Sequence, residues 1–183
     1  HCPICGREVS KMSVEQMVEQ VIGNRQQVTG KKGKRIMILA PVVKDRKGEY
    51  SQLFEDFRKK GFSKVRVDGH VRDLTDDLVL IKTNKHSIDL VVDRLVLDTK
   101  QSLRSNKLDL KIVREQQFNS RLSQSIETAL KMGEGSVIAC EVLDSSLEFP
   151  QNPKKMEDHL YSERFACPVD NIALSEIEPR LLS

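Results

Sequence analysis

The stretch Ser87-Ile-Asp-Leu-Val-Val-Asp-Arg-Leu-Val-Leu97 constrains this chain more than any other feature, because it is the strongest strand signal in the sequence. A strand must find partners for its backbone donors and acceptors, so the fold must contain a sheet. By parity Ile88, Leu90, Val92 and Val96 share one face with Arg94 among them, while Asp89, Val91, Asp93, Leu95 and Leu97 take the other. An arginine on an apolar face either pairs with a nearby acid or reaches a partner at the sheet margin.

Further strands follow from local pattern. Arg35-Ile-Met-Ile-Leu-Ala-Pro-Val-Val43 has the apolar content of a buried strand, and Pro41 predicts that its end lies at an edge. Lys64-Val-Arg-Val-Asp68 alternates strictly, with Val65 and Val67 facing the core and Lys64, Arg66 and Asp68 opposite. Gly69-His70 reads as a turn, Val71 to Leu80 as one or two short strands, and Ser136 to Val142 as another strand. His86 is expected at the surface or a strand edge.

Three helices are expected between them. Ser13-Val-Glu-Gln16 is a capping box leading into Val14, Met17, Val18, Val21 and Ile22. Tyr50, Leu53, Phe54 and Phe57 recur at helical spacing before Gly61, and Leu122, Ile126, Ala129 and Leu130 form one stripe ending near Gly133. Residues 98–117 are polar and basic and read as a long, mobile excursion, and residues 150–159 as a linker-like break. Strands and helices intersperse irregularly with no internal repeat, which predicts an α+β fold: a mixed, largely antiparallel sheet with packed helices. At 183 residues and 38% hydrophobic positions the chain supports one core, or a core with a small appended module.

Charge is distributed unevenly. The net charge is only +3, yet residues 25–66 carry thirteen Lys or Arg against four acids, and residues 134–178 ten acids against three bases. A basic front of this kind binds phosphates or an acidic protein face. A direct DNA contact would draw on residues 25–66 with Arg104, Lys107, Lys111 and Arg114, although eight aromatic residues and no tryptophan supply few stacking platforms. The longest nearly unbroken apolar run, Ile36 to Val43, is far short of a membrane span. With no secretion signal, a cytoplasmic setting is expected.

The cysteines permit a partial metal site. Cys2 and Cys5 are spaced Cys-x-x-Cys before Gly6, which suits half a zinc knuckle, and Cys167-Pro-Val-Asp170 has the outline of a second half with a carboxylate in place of a thiolate. Cys2, Cys5 and Cys167 are thus candidate zinc ligands; the alternative is that Cys140 and Cys167 are small buried apolar residues. No phosphate loop, nucleophile elbow or His-Glu-x-x-His helix occurs, so neither a bound nucleotide nor catalysis is expected of this segment.

Cys2-Pro-Ile-Cys-Gly6, Leu39-Ala-Pro-Val-Val43, Arg46-Lys-Gly-Glu49, Gly61-Phe62, Val65-Arg-Val-Asp-Gly69, Lys85-His-Ser-Ile88, Val91-Val-Asp-Arg94, Ser125-Ile-Glu-Thr-Ala-Leu130, Phe165-Ala-Cys-Pro168 and Glu178-Pro-Arg-Leu181 form a set of phrases that runs through nearly the whole chain. Together they resemble the UvrA family, the damage-recognition ATPase of the bacterial excinuclease. The resemblance implies an internal segment of a dimeric nucleotide excision repair protein that reaches DNA through its other parts. The segment is inserted between the phosphate loop and the signature helix of the first ATP-binding half, and its centre docks UvrB, another component of the same excinuclease. Residues 1–12 then form a Cys-x-x-Cys knuckle segment, 13–149 a UvrB-docking-like domain, and 150–183 a linker and degenerate zinc-finger-like segment. The family's two docking positions fall on Lys64, where it has arginine, and on Arg94, with Arg66 as a third member on the Lys64 face.

Overall fold

The computed structural model describes residues 11–23, 34–97, 108–142 and 156–164. The elements run α1 (Val14–Gly23), β1 (Lys34–Lys47), α2 (Ser51–Lys59), β2 (Lys64–Val67), β3 (His70–Asp73), β4 (Lys85–Leu97), α3 (Leu108–Met132), β5 (Ser136–Val142) and β6 (Met156–Ser162). The strands form one six-stranded sheet in the order β3-β2-β4-β1-β5-β6, antiparallel at every pairing. The architecture is the expected α+β fold, with a sheet that is wholly antiparallel among the described residues.

Helix α1 begins where its capping box sits. The Ser13 N–H donates to Gln16 Oε1 at 2.9 Å, and the Gln16 N–H donates to Ser13 Oγ at 3.3 Å. Met17 and Val21 are buried from α1, Phe54 and Phe57 from α2, and Leu122, Ile126, Ala129 and Leu130 from α3. They join Ile36, Ile38, Ala40, Val65, Val67, Ile88, Leu90 and Leu95 in one cluster, so all three helices cover the same face of the sheet. On the other face Met37, Leu39, Val71, Val91, Ile138, Cys140 and Val142 form a second cluster made only of strand residues and their flanks.

That second face is concave. Four inter-strand steps separate β2 from β6, roughly 19 Å across a flat sheet. Yet Arg66 on β2 bonds Asp158 on β6 at 2.7 and 2.8 Å, a reach that no arginine–aspartate pair has across a flat sheet. The long strands bend to allow it. Their pairing shifts register at Ile38/Leu39, Pro41/Val43 and Val43/Arg46, which adds Val92 as an extra residue on β4, Val42 on β1, and one more on β1 where Lys44 and Asp45 stand against Ser87. Such bulges kink a strand and increase its twist.

Four expectations are corrected. Pro41 does not mark a sheet edge, because β1 is central; β5 pairs only with Arg35 to Leu39, so Pro41 lies just past that ladder, where its missing donor costs nothing. His70 opens β3 and the turn is Asp68-Gly69, both at positive φ. Helix α3 starts at Leu108 and takes up the second half of the expected excursion, and β6 occupies part of the expected linker. No helix among the described residues is long and apolar enough to cross a membrane.

Candidate protein-docking site

The bulge at Val92 decides which way Arg94 faces. Up to Val91 the β4 residues alternate as expected, with Leu90 on the helix side opposite Ala40 and Val91 on the concave side opposite Leu39. The extra residue then flips the alternation: Asp93 and Leu95 turn toward the helices and Arg94, opposite Met37, turns to the concave side. The expectation that Arg94 shares a face with Ile88 and Leu90 is therefore overturned. Asp93 instead anchors α3, accepting from Arg121 Nη2 at 2.7 Å and Ser125 Oγ at 2.7 Å, with the Arg94 N–H at 2.8 Å. Burial alone would raise its carboxyl, but these donors outweigh burial and hold it below the ordinary carboxylate range.

Lys64 stands at the start of β2, its Nζ bonded to both Asp73 carboxylate oxygens at 3.1 and 3.0 Å across the β2–β3 pair. Strands β2 and β4 pair through Val65, Arg66 and Val67 and part beyond Val65. A polar pocket of about 170 Å³ opens in that gap, lined by Gly61 to Lys64 on one side and Val91 to Arg94 on the other. Two basic residues distant in sequence thus flank one recess. It has the size and polarity to take a carboxylate side chain or a similarly small anionic group.

Arg66 has a different place. It is 6% exposed. Its Nε donates to Asp89 Oδ2 at 2.9 Å, its two Nη groups grip the Asp158 carboxylate, and Nη1 lies 3.8 Å from Cys140 Sγ. Where the resemblance implied a contact with a partner, the guanidinium here is engaged internally by Asp89 and Asp158. Burial favours loss of its proton, but Asp158 and Asp89 more than offset this and the group stays charged. Burial pushes the Asp89 carboxyl above its usual range against the pull of Arg66, and the nearby Asp158 charge adds to the rise.

His86 stands near the start of β4, beyond the β2–β4 ladder, yet its ring is covered and the residue 7% exposed, with Nδ1 2.8 Å from Asp68 Oδ2 and Nε2 3.0 Å from the Ile81 carbonyl. The hydrogen bond to Asp68, then that to Ile81, raises its pKa. Cys2, Cys5 and Cys167 lie outside the described residues, as do Arg104 and Lys107. Cys140 is buried, and burial followed by the nearby Asp158 carboxylate pushes its thiol far up, which makes it unfit as a thiolate ligand. Among the described residues, Glu141, Glu157 and His159 are the group whose ligand atoms come together, within 4.8 Å of one another on the β5–β6 edge. The aspartates of the site, Asp73, Asp89, Asp93 and Asp158, do not stand out in the sequence; Asp89 and Asp93 at least sit in the expected β4 strand, where a buried unpaired acid is costly, whereas Asp73 and Asp158 are 48% and 36% exposed and carry no such signal.

Residues 13–142 match the family model described as the UvrA interaction domain. The whole chain is 41% identical to UvrABC system protein A of Methanothermobacter thermautotrophicus over 184 residues, 39% to that of Mesorhizobium japonicum over 192, and 36% to that of Clostridium perfringens over 184. These alignments cover all of this chain and 16 to 17% of the relatives' length. With the matched region holding the Lys64–Arg94 recess and the first five of the sheet's six strands, the chain belongs to the UvrA family and carries its interaction domain.

Proposed function

We propose that the protein uses this module to dock UvrB during nucleotide excision repair, with Lys64 and Arg94 as the contacting cations. The observation that carries the reading is the recess at the β2–β4 gap, where the two residues stand on opposite walls. Two cations beside a small polar pocket select an acidic side chain on the partner and discriminate against basic ones. Lys64 supplies charge without the bidentate fork of an arginine, so Arg94 carries the larger share. UvrB would then be held beside the parts of the protein that bind damaged DNA, ready for handover.

Calorimetric titration of the chain with purified UvrB, at two salt concentrations, tests this. Saturable one-to-one binding is expected, and Arg94→Ala should weaken it by about 2–5 kcal/mol where the partner carboxylate is left buried. Unchanged binding by a folded Arg94→Ala chain would refute the assignment. If the chain instead binds duplex DNA with affinity falling by orders of magnitude between about 50 and 200 mM salt, the basic front is a phosphate-binding surface.

A further inference from the structure

The docking recess is a splay between two strands, and its width is set by the angle at which β2 leaves β4. Core packing of Val65 and Val67 seats β2 on the helices, but its backbone pairing does little to hold that angle. The strand has four residues, pairs with β4 through only three of them, and is backed by the four-residue edge strand β3. Arg66, two residues from Lys64 on the same face, is the residue of β2 tied to distant parts of the sheet. One anchor, Asp89, lies within the β2–β4 pairing, and the other, Asp158, lies on β6 at the far margin. The guanidinium is therefore a strut across the concave face that draws β2 toward β6.

We propose that Arg66 and Asp158 form a positioning clasp that sets the splay of β2 from β4, and with it the separation of Lys64 and Arg94 that UvrB reads. This rests on the docking reading above. Arg66 does not touch the partner; it acts through the backbone of β2. Because Asp158 belongs to β6, the clasp makes the docking recess responsive to the position of that strand. Shape is involved as well as charge. Asp89 alone would neutralise Arg66 without pulling β2 across the sheet, so Asp158 is the member whose loss should change geometry while leaving the buried arginine paired.

Asp158→Asn tests the clasp in the full chain, because a side chain 36% exposed tolerates an amide. The expected result is about a tenfold weaker affinity for UvrB with near-parent thermal unfolding. The loss caused by Lys64→Ala should also be several-fold smaller in the Asp158→Asn background than in the parent. A purely structural role would shift the unfolding midpoint without that non-additivity. Where Asp158→Asn lowers the folded fraction, Asp158→Glu, which keeps the charge and moves the anchor by one methylene, enters the same cycle. Parent-like affinity in these variants, or losses that simply multiply, would overturn the clasp. If a folded Arg94→Ala chain binds as the parent does, the docking reading itself fails and the clasp's role in docking falls with it. If Arg94→Ala and Lys64→Ala weaken binding and the Asp158 variants do not, only the clasp fails.

Discussion

A histidine whose two ring nitrogens both face acceptors has only one protonation state that satisfies them. Both nitrogens of His86 do, Nδ1 toward the Asp68 carboxylate and Nε2 toward the Ile81 carbonyl, so the imidazolium is the favoured form and its pKa is raised. The folded state therefore binds the proton more tightly than the unfolded chain. The resulting stability is fully present below the unfolded value of about 6.5 and is lost as pH rises through the higher folded value. The deficit in unfolding midpoint of His86→Ala should thus be larger at about pH 5.5 than at about pH 8.5; equal deficits would show that the ion pair does not form. Arg66 supplies a second test. Arg66→Ala leaves Asp89 buried without its cation and should cost about 3 kcal/mol in denaturant unfolding, the low end for a broken buried pair, since Asp158 keeps part of its solvation. Adding Asp89→Asn to Arg66→Ala should recover part of that loss, because the uncompensated charge is then gone.

At the level of elements, the joint between α3 and β5 leaves no room for a side chain at Gly133. A Cβ on Gly133 would lie 2.4 Å from the Ser136 carbonyl oxygen and 3.0 Å from the Pro41 ring. Backbone must therefore shift to admit it, and Gly133→Ala should lower stability by about 1–3 kcal/mol by thermal melting. The expected helix stripes were legible because each helix buries one face: Met17 and Val21, Phe54 and Phe57, and Leu122, Ile126, Ala129 and Leu130 are the buried apolar residues. The first half of α3 was not, because Ile112 and Val113 are exposed there and no apolar stripe develops. Strand β6 escaped for a related reason. Its Glu157, Asp158 and His159 carry no apolar alternation, and its place in the sheet comes from the β5 backbone it pairs with. The orientation of Arg94 was lost to one extra residue, Val92, since a bulge reverses every side chain beyond it.

Over the whole molecule, a single apolar cluster ties residues of all three helices to the sheet. Near- and far-ultraviolet circular dichroism should therefore report one coincident transition, lowered as a unit by Phe57→Ala at a cost of about 3–5 kcal/mol. Separate transitions would mean that α2 is an independent layer. The fold class, the helix faces and most of the strands could be read along the chain, because periodicity, caps and residue type are local properties; Lys64 and Arg94 were singled out as candidate cations by the family resemblance. That Lys64 and Arg94 flank one recess, while Arg66 on the same strand is drawn inside to Asp89 and Asp158, emerged only once the strands were assembled. Which residues meet across a bent sheet depends on where its bulges fall and which strands pair, and both are settled by the packing of segments far apart in sequence.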